Sequence, residues 1–147
     1  MAKKFNIESY RSEINEQINV LTAKVNELEK DRRTNFWEIR DIKDEIAELE
    51  TRRDPKFMCE LCYSDRHAYE IVRIETEKRM VIRRMVAKRI NIGEFVMSDA
   101  QDYAFESNPN APEYTVRLHK DGFFYATNNC NPFRITSEPY EYFDYSF

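Results

Sequence analysis

Hydrophobic residues recur every seven positions along the first third of the chain, and a second set follows each of them four residues later. Ile7, Ile14, Leu21, Leu28, Ile42 and Leu49 form the first series, with Asn35 in its middle; Ile18, Val25, Ile39 and Ile46 carry the second, alongside Arg11, Arg32 and Arg53. Spacings that alternate between three and four place these residues in one seam along a helix, the pattern of a coiled coil. No Gly or Pro occurs before Pro55, so the pattern predicts one uninterrupted helix over residues 7–53. A lone helix with such a stripe in water is unstable, and the seam calls for a partner helix.

We expect that partner to be a second copy of the chain. The interface of this homo-oligomer, a parallel dimer or trimer, would consist of Ile14, Ile18, Leu21, Val25, Leu28, Ile39, Ile42, Ile46 and Leu49, with Arg32 and Asn35 fixing the register. Lys24 would then face Glu29, and Glu38 would face Lys43. The rival arrangement is a hairpin that turns at residues 31–35 and pairs the two halves within one chain. A straight helix is preferred because tight turns usually recruit Gly or Pro, and neither is present. Phe36 and Trp37 fall outside the seam, where a large aromatic pair either packs against the chain's own C-terminal part or is a candidate for docking a partner.

Asp54-Pro55 ends the helix, because proline disfavours helical geometry in the residue before it. Beyond it, residues 64–91 carry Ala68, Ile71, Val72, Ile74, Val81, Ile82, Met85, Val86 and Ile90 at spacings mostly of three and four. A basic helix is the expectation, and two strands joined through residues 75–79 are the alternative. In the last third, Lys120-Asp121-Gly122 separates two aromatic, β-branched runs at residues 114–119 and 123–127, the signature of a β-hairpin. Residues 133–136 read as a further strand, residues 94–97 as another, and residues 99–105 as a short helix or strand. The expected fold class is therefore α+β. A coiled-coil helix spans residues 1–54, and a small domain over residues 55–147 combines the basic helix with a short antiparallel sheet.

Composition narrows the class. Of 147 residues, 34% are charged and 14% aromatic, a balance suited to a folded chain. The net charge of −4 divides unevenly: −2 over residues 1–54, +4 over residues 55–92 and −6 over residues 93–147. There is no apolar run long enough to span a bilayer and no signal-peptide pattern at Met1, and the cysteine count is odd. No membrane partner and a cytoplasmic location are expected.

Candidate chemistry is sparse. Cys59 and Cys62 have the C-x2-C spacing that grips a tetrahedral zinc, His67 is near enough to be a third ligand, and Cys130 or His119 would have to supply a fourth. Strong zinc signatures carry two such pairs and this chain has one, so no cofactor is expected and zinc is the alternative. Arg79, Arg83, Arg84, Lys88 and Arg89 would decorate the basic helix and suit a phosphate backbone, although the chain as a whole is acidic. The closing stretch alternates acids with Tyr140, Tyr142, Phe143, Tyr145 and Phe147, which reads either as a docking peptide or as a wrap over the domain's own core. The only glycines are Gly93 and Gly122, which excludes glycine-rich phosphate loops, and the only histidines, His67 and His119, sit in no catalytic motif.

No enzyme is expected. The leading reading is a non-enzymatic, homo-oligomeric module that binds another protein as an adaptor, assembly component or inhibitor; its small size and Asn, Tyr, Ile and Lys content suggest a phage-type accessory protein. The alternatives are a nucleic-acid-associated regulator, with or without zinc, and a scaffold whose coil is a spacer.

Overall fold

The computed structural model describes residues 4–90, 101–127 and 129–144. The chain divides into two compact units, Met1–Pro55 and Lys56–Phe147.

The first unit is a helical hairpin, and this corrects the expected continuous coiled coil. Helix α1 (Ile7–Leu28) starts at Asn6, whose side-chain oxygen accepts from the backbone N–H groups of Glu8 at 2.9 Å and Ser9 at 3.2 Å. It tightens into a 3-10 turn over Glu29–Asp31, and α2 (Phe36–Arg53) then returns. The turn needs no glycine. Glu29, Arg32 and Asn35 all keep negative φ, and no non-glycine residue among those described has positive φ. Asn35, read above as a register pin, instead donates from its side-chain amide to the Leu28 carbonyl at 3.1 Å, satisfying one of the acceptors left open at the end of α1.

The heptad seam is buried inside this hairpin. Ile14 and Ile18 pack on Leu49, with Leu21 and Ile46 beside them, and Val25 packs on Ile39 and Ile42, with Leu28 beside them. The apolar burial that called for a second copy is thus met within one chain. The flanking charges exchange partners accordingly: Lys24 pairs with Glu38 at 3.7 Å and Lys43 with Glu29 at 3.3 Å. No helix among the described residues is long and apolar enough to cross a membrane.

The second unit is a closed antiparallel barrel, in place of a basic helix packed on a small sheet. Its strands are β1 (Phe57–Leu61), β2 (Arg66–Thr76), β3 (Arg79–Arg84), β6 (Glu113–Leu118), β7 (Phe124–Ala126) and β8 (Phe133–Thr136), joined in that order, with β8 closing on β1. Between β3 and β6, the short strands β4 (Val86–Arg89) and β5 (Tyr103–Glu106) form a separate antiparallel pair. The interior holds Met58, Tyr69, Met80, Ile82, Val116, Phe124 and Phe133. Gly122, at φ 88°, makes the β6–β7 turn.

The stretch expected to be helical is therefore β2, β3 and β4. Its misleading spacing has a physical cause: the β2–β3 register shifts between Ile71 and Arg73 and again between Ile74 and Thr76. The first irregularity adds a residue between Ile71 and Arg73, so the apolar interval from Ile71 to Ile74 is three residues, as in a helix. The strand expected at residues 94–97 lies outside the described residues.

Candidate functional site

A polar cluster lies where β1 passes into β2. Glu60 and His67 are opposite one another in the antiparallel register, and Cys62 follows in the connecting turn, where its N–H donates to the Asp65 carbonyl at 3.1 Å. A Glu60 carboxylate oxygen, the Cys62 sulfur and a His67 ring nitrogen all lie within 4.8 Å of one another. Those three donors could hold a metal ion. Cys59, the other half of the expected pair, is not among them. Strand alternation sends its side chain to the opposite face from Glu60, and its sulfur lies 4.0 Å from the Tyr140 carbonyl. Cys130 also lies outside the set, and His119 follows the end of β6, its ring tilted against that of Tyr125 with centroids 4.5 Å apart.

Glu60 is 7% exposed. It accepts from the Tyr69 hydroxyl at 3.2 Å, the Asn129 amide at 2.8 Å and the Asn131 amide at 3.2 Å. Its described hydrogen-bond donors are thus all neutral, and no ion pair to it occurs among the described residues. The Asn131 amide also reaches the Cys62 sulfur at 3.6 Å, so one side chain spans two of the three donors. The loop that carries Asn129 and Asn131 is anchored by the Leu61 N–H, which donates to the Pro132 carbonyl at 2.8 Å.

Behind His67 stands a carboxylate from the far end of the sequence. Glu141 Oε2 is 2.9 Å from His67 Nδ1 and accepts from Arg84 at 2.8 Å, while its other oxygen accepts from the Ala68 N–H at 2.9 Å. Arginine can only donate, so its 3.4 Å approach to Nδ1 is a contact and the ring proton goes to Glu141. That assignment leaves Nε2 with a free lone pair. The Glu141 bond raises the His67 pKa against burial. Burial opposes the Glu141 carboxylate, but the bonds from His67, Arg84 and Ala68 outweigh it and hold that carboxyl below its usual range.

Cys62, His67 and Glu141 superficially resemble the nucleophile, base and orienting acid of a cysteine hydrolase. The electrostatics oppose that role. Burial, then Glu60 and Asp65, push the Cys62 thiol up to about 11, whereas a nucleophilic cysteine needs surroundings that favour thiolate.

Next to the cluster a cavity of about 480 Å³ is lined by Tyr69, Tyr114, Thr127, Asn129 and Phe133, with Glu113 at its side. Tyr69 and Asn129 both line it and bond Glu60, so the cavity and the polar cluster share a wall.

The remaining candidates are dispersed. Of the basic row, Arg79 pairs with Glu75 at 2.7 Å, Arg83 with Glu70 at 2.9 Å and Arg84 with Glu141, while Lys88 and Arg89 lie on β4. Strand geometry has split the expected cationic face, and three of its five members meet carboxylates. The acidic-aromatic tail lies on its own barrel: Tyr142 and Arg66 exchange backbone hydrogen bonds at 2.8 and 2.9 Å, and the Asp144 N–H donates to Asp65 at 2.7 Å. Tyr140 and Phe143 keep substantial exposed surface, and Tyr145 and Phe147 lie outside the described residues. At the start of α2, Phe36 and Trp37 are 49% and 68% exposed, edge to face at 5.3 Å, with the Arg40 guanidinium 5.7 Å from the Trp37 ring.

Glu60, Glu141, Asn129 and Asn131 carry no site signal in the sequence. None sits in a motif, and the pairing of residues 67 and 141 depends on the tail's path across β2.

Comparison with known protein families, curated proteins and solved structures found nothing that matches this chain.

Proposed function

We propose that this chain is a non-enzymatic protein-binding module that docks its partner through the turn end of the helical hairpin. The observation that carries the reading is the exposed Phe36–Trp37 pair with Arg40 over the indole. Trp and Arg are the side chains most enriched where binding energy concentrates, because each combines a large contact area with a directed polar group. The hairpin holds the pair rigidly: Ile39 and Ile42, on the same helix, are locked into the seam. The partner is a protein with an apolar recess for the indole and a carboxylate at its rim for Arg40.

The nucleic-acid alternative has less support, since Arg79, Arg83 and Arg84 meet carboxylates of the chain itself. The three cysteines are free thiols, in keeping with the reducing compartment this reading assumes, the cytoplasm.

The test is affinity purification of the full chain from its native cells, beside Trp37→Ala and Arg40→Glu, with Val20→Ala as an exposed apolar control. The expected result is one protein held by the wild type and the control and lost from both other variants, with unchanged circular dichroism and thermal midpoint. Recovery of the same protein with Trp37→Ala refutes the docking role. A lowered midpoint for that variant would mean instead that the aromatic pair packs within the chain.

A further inference from the structure

We propose that Glu60, Cys62 and His67 form a zinc(II) site at the β1–β2 turn, with Glu141 as the group that orients His67. The inference is independent of the docking reading.

Three observations carry it. First, the donors converge although they come from a strand, a turn and the next strand: all three atoms lie within 4.8 Å of one another. Ligand atoms around a tetrahedral zinc stand about 3.3–3.8 Å apart, so side-chain rotations of about 1 Å close the set on an ion. Second, Glu60 is a buried carboxylate whose described hydrogen bonds come only from Tyr69, Asn129 and Asn131. Buried charges are normally paired or bound to metal, and a divalent cation beside Glu60 supplies the missing counter-charge. Third, His67 is already oriented as metal-binding histidines are, with Nδ1 on a carboxylate and no hydrogen bond to Nε2 among the described residues. Glu141 is itself fixed by Arg84 and the Ala68 N–H, so the ring has little freedom to turn away.

The donor chemistry selects the ion. One thiolate, one imidazole and one carboxylate suit zinc, whereas calcium and magnesium require oxygen ligands. Glu60 and the Cys62 thiolate together carry two negative charges, which neutralise Zn²⁺ while the imidazole adds none. On binding, the Cys62 thiol gives its proton to solvent and the sulfur lone pair goes to the metal, with no change in oxidation state. Cys62 and His67 are both partly exposed, so solvent can reach the site and supply the fourth ligand. Three protein ligands and a solvent position distinguish the site from the closed four-cysteine type and from a site built on Cys59.

The experiment uses the full chain, stripped with a chelator and titrated with cobalt(II), then zinc(II). The expected result is a sulfur-to-cobalt charge-transfer band that saturates at one ion per chain and is displaced by zinc. Cys62→Ser abolishes the band and Cys59→Ser leaves it intact. Glu141→Gln weakens zinc affinity by about 10- to 100-fold, the usual effect of losing the carboxylate behind a ligating histidine. Absence of the band from the folded wild type overturns the proposal, a readout that does not depend on any variant folding. So does a band that survives Cys62→Ser, or one lost in a Cys59→Ser protein whose circular dichroism is native.

Discussion

Glu70 and Arg83 show how much of the chain's charge is spent internally. They face each other across β2 and β3, with Arg83 Nε donating to Glu70 at 2.9 Å and the Ser107 hydroxyl adding a bond at 2.6 Å. Burial opposes ionisation of Glu70, but the bonds from Ser107 and Arg83, helped by the guanidinium charge, win and lower its pKa below 4.5. A carboxyl lowered on folding adds stability that is complete above its unfolded pKa and disappears as the pH falls through the folded value. Glu70→Gln should therefore cost about 1–3 kcal/mol near neutral pH, the range for losing hydrogen bonds to a charged group. The gap between variant and wild type should narrow as the pH falls below the ordinary carboxyl range and close once the pH has passed through the lowered folded value. Urea midpoints across that pH range test it, and a gap that persists in acid would show that the carboxylate charge is not the source. The same pairing explains why Arg83 is a poor candidate for phosphate contact, a point that its place in a basic run of sequence conceals.

At the scale of elements, the heptad stripe identified the helices and their apolar faces, yet the pattern is the same whether the partner is another copy or the chain's own second half. The decision rests on residues 29–35, which turn without glycine because a 3-10 turn keeps every φ negative. Asn35→Ala removes the bond to Leu28 and should lower the hairpin's stability by about 1 kcal/mol. Ile39→Ala opens a hole in the seam and should cost about 2–4 kcal/mol. Both losses should be independent of protein concentration, because the helices pair within one chain. A midpoint that rises with concentration over about a hundredfold range would restore the intermolecular seam. The barrel strands were harder to read for the opposite reason: the irregular register of β2 breaks the two-residue period that identifies a strand. The hairpin at Asp121-Gly122 was legible because its signal is local, a glycine at φ 88° between two β-branched and aromatic runs.

Over the whole molecule, legibility falls with sequence separation. Cys62 and His67 are five residues apart and share one local signal; Glu141 lies 74 residues beyond His67, and only the closed barrel and the path of the tail bring it there. The two units bury separate cores: Met58, Ile82, Val116 and Phe133 in the barrel, and Ile14, Ile18, Val25 and Ile39 in the hairpin. With no core residue in common, a cavity in one should leave the packing of the other intact. The single tryptophan, Trp37, belongs to the hairpin, so its fluorescence reports on that unit, while near-ultraviolet circular dichroism of the tyrosines weights the barrel. Phe133→Ala, at a fully buried position packed edge to face on Tyr69, should cost the barrel about 3–5 kcal/mol. Its near-ultraviolet transition should move to lower denaturant while the tryptophan transition stays in place, and Ile39→Ala should do the reverse. If either substitution moves both transitions equally, the units unfold as one cooperative body, and the independence of hairpin and barrel has to be given up.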